Sequence, residues 1–303
     1  MASLKQLKDR IVSVKSTKKI TQAMKVVAAA KLKRSRKAFE SNKEYIEQMN
    51  ILSNNIFDNI IDKDLFPLIF GRENSTSNKT LIIIFGSDKG LCGAFNSGLV
   101  KYLKARLADI PGTKKIICIG KKVYDILKYH SSIEVELFHH DANLSVDNVK
   151  ELTRSLIEKF YSEEIASCIV FYNQFISSMS QKNSYKRLVP LFQSEEEFVR
   201  EKSIEPASGI KKVMDNTIFE NEPKIYDMAN QLAEQYITAN IFSMLLESAA
   251  GEQGARMSAM DNANRNAEEM IKKITTVYNR TRQSEVTNEL IEIISGMEAI
   301  SKN

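Results

Sequence analysis

The sequence predicts a mixed α/β protein in which the N- and C-terminal helices form a long antiparallel coiled coil and a Rossmann-like α/β domain is inserted between them. Three observations predict this. The stretch Leu4–Glu40 contains neither Gly nor Pro and carries apolar residues at coiled-coil spacing. The last 80 residues, from Lys224, contain no Pro and only Gly251, Gly254 and Gly296. Between these ends, from Thr80, short apolar runs alternate with helical patterns, as in a sheet built from βαβ units.

In the first element, Leu4, Leu7, Ile11 and Val14 follow the alternating three-and-four spacing of a helix seam. The seam is expected to slip through the polar stretch Ser16–Lys19 and resume at Ile20, Met24 and Val27, with Ala28, Ala29 and Ala30 allowing close backbone approach. The helix continues through Tyr45, Ile46, Met49, Ile56 and Ile60, giving an N-terminal helical segment over 1–62. A basic amphipathic start can also be an organelle transit peptide, but this pattern runs past residue 40 without a cleavage-like break.

Pro67, Gly71 and a Ser/Asn cluster mark a boundary between Asp62 and Lys79. The α/β domain follows over 80–192. Its expected strands are TLIIIF, KKIICIG, IEVELF and ASCIVFYN, forming a largely parallel sheet, with helices over Asn96–Ala108, Lys121–Tyr129 and Val146–Tyr161. The segment 193–223, with Pro206 and Gly209 and no clear period, is expected to be irregular. The second long helix occupies 224–303. Some 70 residues of helix would measure about 105 Å, far longer than a surface helix of a compact domain, so pairing with the first helix is the economical way to bury its seam.

Hydrophobic residues make up 43% and charged residues 27% of the 303 positions. No run approaches the roughly 18–20 apolar residues that cross a bilayer, so membrane association is expected only through partners. The net charge of +5 hides an asymmetry, because Met1–Ala38 carries 12 Lys or Arg against Asp9 alone. That segment holds +11 and leaves −6 for the rest. It fits an acidic protein surface, nucleic-acid phosphates or a solvated face; the regular apolar seam among the cations and the absence of aromatics before Phe39 favour the protein partner and argue against nucleic acid.

No catalytic constellation is visible. His130, His139 and His140 form no metal-ligand or triad spacing, and the three cysteines, Cys92, Cys118 and Cys168, are an odd number without short spacing. The glycine-rich stretch Gly86–Gly93 follows a strand and precedes a helix, where phosphates bind in many α/β folds. It lacks both the dinucleotide and the P-loop spacing, which favours a tight strand-to-helix turn. No cofactor is expected. The rival from another class is a nucleotide-dependent α/β enzyme using the helices as a dimerisation arm.

The run Ile20–Lys31 (ITQAMKVVAAAK), the loop GSDKGLCGAFN from Gly86 to Asn96, and LLESAAGEQGARMSAMDNA followed by YNRTRQSEVTNELIEIISG resemble, in order, the gamma subunits of F-type ATP synthases over essentially the whole chain. The resemblance implies a bacterial central rotor shaft without chemistry of its own. It would turn inside a ring of alpha and beta subunits, bind an epsilon subunit and the membrane rotor ring, and lie peripherally at the cytoplasmic face of the inner membrane. It further implies that Met24 faces an acidic lever of a beta subunit, with Lys18, Lys19 and Lys25 around it. Arg282 and Gln283 would hydrogen-bond a beta-subunit loop. Ile218, Phe219 and Glu220 would form the foot that meets epsilon and the ring, although the family's usual Glu-Pro is here Glu220-Asn221.

Overall fold

The computed structural model describes residues 3–58, 60, 62–72, 77–129, 133–138, 145–192 and 225–301. Helix α1 spans Leu4–Asp58 and is followed by a 3-10 turn (Lys63–Leu65) and the short α2 (Pro67–Phe70). Then come β1 (Lys79–Phe85), α3 (Phe95–Arg106), β2 (Thr113–Ile119), α4 (Lys121–Leu127), β3 (Glu134–Leu137), α5 (Val146–Tyr161), β4 (Ser167–Phe175) and β5 (Gln181–Val189). Helix α6 spans Ile225–Ser301, 77 residues. The expected irregular segment over 193–223, and with it Ile218, Phe219 and Glu220, lies outside the described residues, as do His130, His139 and His140. Two compact units result: Met1–Ala29 with Arg256–Asn303, and Ala30–Ala255.

The first unit is a pair of antiparallel helices. Lys25 Nζ meets Asp261 Oδ1 at 2.5 Å and Lys18 Nζ meets Glu268 Oε1 at 3.4 Å, so a step of seven residues down one helix matches seven up the other. The expected slip of the seam does not occur. Leu4, Leu7, Ile11, Val14, Lys18, Thr21, Lys25 and Ala28 keep one three-and-four spacing and all are buried or half-buried, while Ile20 and Val27 are 58% and 56% exposed. The reason is that Lys and Thr can occupy seam positions: the Lys stems cover apolar surface while their ammonium groups reach the acids of α6, and Thr21 donates its hydroxyl to the Lys18 carbonyl at 3.0 Å.

The second unit is a three-layer sandwich. Its sheet has the order β3-β2-β1-β4-β5, parallel except for the antiparallel edge strand β5. Strand β5, QKNSYKRLV, was not among the expected strands because only its last residues are apolar enough to read as buried. The central strands are continuous apolar runs since both faces are covered. Leu81, Ile83 and Phe85 face a core shared with α5 and with segments of α1 and α6, whereas Ile82 and Ile84 face α3 and α4. Helix α5 starts at a capping box in which Ser145 and Asn148 satisfy each other's backbone amides. Gly251 and Gly254 sit inside α6, and Gly254 admits the β4–β5 turn, since a Cβ there would lie 2.7 Å from the Ser178 carbonyl.

Candidate partner-contact surfaces

Helix periodicity gives α1 in the first unit two unlike faces. The inner one is the seam. The outer one exposes Val12, Ile20, Val26 and Val27, each 56–60% exposed, together with Lys8, Arg10, Lys15 and Lys19, none of which has an ion pair among the described residues. Such a surface offers apolar area and positive charge at once. Of the predicted contact residues, Lys19 lies on this outer surface and Met24 is half-buried at its border. Lys18 and Lys25 are differently placed, since their charges are directed at Glu268 and Asp261 of the same chain. Asp261 also accepts from Arg265 at 3.0 Å, and the hydrogen bond from Lys25 holds its carboxyl below the usual carboxylate range.

The helix pair's register places Leu4 opposite Arg282, so Arg282 and Gln283 stand where α1 gives out. Both are exposed, and Arg282 has no partner among the described residues. From there to Met297 every side chain of α6 is exposed. This tip includes Val286, Leu290, Ile291, Ile293, Ile294 and Met297, at 49–67% exposure. The resemblance points to Arg282 and Gln283 and not to the tip, whose signal in the sequence is six large apolar residues beyond the last position that the first helix can reach.

The loop after β1 turns its polar groups inward. The Ser87 N–H donates to Asn96 Oδ1 at 3.0 Å, Asn96 Nδ2 donates to Ser87 Oγ at 2.8 Å, and Ser87 Oγ donates to the Lys89 carbonyl at 2.8 Å. Asp88 Oδ1 accepts from the Lys121 N–H at the start of α4. A Cβ on Gly86 would come within 2.4 Å of a Val123 methyl, so glycine is what lets α4 pack on the strand end. The loop is thus a tight joint between β1, α3 and α4. Burial pushes the Cys118 thiol up to about 12 and raises Cys168 as well, which keeps both as unreactive thiols. Among the described residues no group of three His, Cys, Asp or Glu side chains could hold a metal ion.

A family model described as ATP synthase matches residues 3–300. The ATP synthase gamma chain of Pelagibacter ubique is 41% identical, with 99% of this chain and 100% of that protein covered. The ATP synthase gamma chain of Methylobacterium nodulans is 40% identical over the same shares. Among solved structures, the rotor of the Euglena gracilis mitochondrial ATP synthase matches with a TM-score of 0.60 at 15% identity, covering 93% of this chain and 98% of that one. This last likeness is one of fold.

Proposed function

Because the chain belongs to the family of ATP synthase gamma chains, we propose that it acts as the central rotor shaft, coupling rotation of a membrane ring to ATP synthesis or hydrolysis on surrounding catalytic subunits while doing no chemistry itself. The observation that carries this is the tip of α6. A helix exposing Leu290, Ile291, Ile293, Ile294 and Met297 is stable in water only at a cost, and a ring of subunits closing around it supplies the missing cover.

Rotation works if the contacts differ between orientations. A contact of equal strength in every orientation shifts no site relative to another. Arg282, an unpaired planar donor at the end of the paired region, is suited to bonding a beta subunit in one orientation and releasing it in the next, with Gln283 beside it. Lys19 and the apolar border around Met24 fit the acidic lever of a beta subunit. Lys18 and Lys25 hold the shaft in register through Glu268 and Asp261 and add to the positive field. Ile218, Phe219 and Glu220 are proposed as the foot that meets epsilon and the membrane ring. The assembly then lies at the cytoplasmic face of a bacterial inner membrane, and the chain is held there by partners; no described helix is long and apolar enough to cross it.

Arg282→Ala tests the reading in a reconstituted alpha-beta-gamma complex. A charged hydrogen bond made in one orientation only contributes about 1.5–3 kcal/mol, so steady-state ATP hydrolysis should fall about tenfold or more. Helix content should persist, Ala being the better helix former. Normal turnover at normal subunit stoichiometry on a gel would refute the role.

A further inference from the structure

We infer that a groove in the α/β unit, bounded by α1, α5 and α6, docks an amphipathic helix of a neighbouring subunit that presents a pair of carboxylates to α5. The groove has a volume of about 610 Å³. Its apolar surface comes from Tyr45, 53% exposed, Val146, 43% exposed, and Phe242. Its α5 side carries Lys150 and Arg154, one helical turn apart, and its α6 side carries Glu234. None of these three charges has an ion pair among the described residues.

Each feature constrains the occupant. An apolar lining with exposed Tyr and Val is covered by a side-chain surface and left bare by a small anion. Lys150 and Arg154, four residues apart, match two carboxylates three or four residues apart on a second helix. Glu234 repels a uniformly negative ligand such as a nucleic-acid backbone and favours a cation or donor on the occupant's other flank. Laying an amphipathic helix into a groove between helices meets all three conditions.

The inference rests on the rotor reading only in placing the chain within a multisubunit complex. The test replaces Tyr45 with the photo-crosslinker benzoylphenylalanine in the assembled ATP synthase, followed by irradiation, digestion and mass spectrometry. The expected product joins position 45 to a helical peptide of another subunit with two acids three or four residues apart. Combining Lys150→Glu with Arg154→Glu should lower its yield about tenfold, the equivalent of 1.4 kcal/mol, whereas Lys150→Arg with Arg154→Lys should preserve it. The inference is overturned by a crosslink confined to this chain, by none above background, by a partner peptide without acids, or by a yield indifferent to charge reversal. ATP turnover of the same preparation separates the two readings: normal turnover without the crosslink removes the docking site and leaves the shaft standing.

Discussion

In the α/β unit the central strands β1, β2 and β4 are covered on both faces and the loops are tied by their own side chains, whereas in the helix pair one narrow seam is buried and most of the remaining surface faces outward. The α/β unit therefore covers its own sheet. The helix pair resembles half of an interface: it shows apolar residues on the outer face of α1 and along the tip of α6, with unpaired cations between them. The two regions use the same long helices for different purposes, which explains why α1 and α6 keep a regular spacing throughout while their partners change.

If that contrast holds, the largest effect comes from crowding the self-sufficient unit. Gly86→Val places a side chain against Val123, where even a Cβ would meet a methyl at 2.4 Å. The expected loss is about 3 kcal/mol or more, at the upper end for overpacked cores. Hydrogen exchange should report lost protection in β1 and β2 with the helix pair unchanged. Equal loss in both regions would show that they do not fold separately, and no loss would show that the joint is slack.

A smaller effect comes from Glu247 of α6, whose Oε2 is buried without a hydrogen-bond partner. Burial pushes its carboxyl up to about 7, opposed by the Phe175 backbone amide and by the charges of Lys186 and Lys43. A folded-state value above the unfolded one means that its contribution is fully present below about pH 4.5 and is lost as pH rises through about 7. Glu247→Gln should flatten that dependence and stabilise the α/β unit at pH 8 by about 1–2 kcal/mol, a discounted fraction of the full linkage value because the site is partly open to water. Urea unfolding at pH 5 and pH 8 measures it. An unchanged pH dependence in the variant would place the titration elsewhere.

The smallest effect belongs to the half-exposed pair Lys25–Asp261 in the helix pair. Its hydrogen bond lowers the Asp261 pKa, so its contribution is present above the ordinary carboxylate range and disappears as pH falls through the folded value. Lys25→Ala should lower the melting temperature slightly at neutral pH, and the difference from the parent should close on acidification. Melting followed by far-UV circular dichroism would reveal the opposite if the gap widened in acid.

Much of this architecture is legible in the sequence, and the exceptions have physical causes. Helix length follows from the absence of Pro, and β1 and β4 follow from apolar runs that only a doubly covered sheet needs. The break inferred at Ser16–Lys19 failed because a seam was expected to be apolar at every position; Asp261 and Glu268, seven residues apart on the partner helix, are the complement that makes Lys25 and Lys18 acceptable there. Strand β5 was hidden by the mixed character of an edge. Arg282 carries no signal of its own, since an exposed Arg on a helix is commonplace, and only the resemblance singles it out. The groove beside α5 was illegible because it unites residues from three elements distant in the chain.

Rotation of this chain can be observed directly. Its three cysteines are buried, so a cysteine introduced by Tyr129→Cys, at a site 81% exposed on the α/β unit, accepts a probe selectively. With the catalytic head of the reconstituted complex fixed to a surface and a bead attached at position 129, ATP should drive sustained rotation in one direction, stopping when ATP is withdrawn. ATP hydrolysis at full rate with a stationary or randomly fluctuating bead would show that the chain is not the rotating shaft.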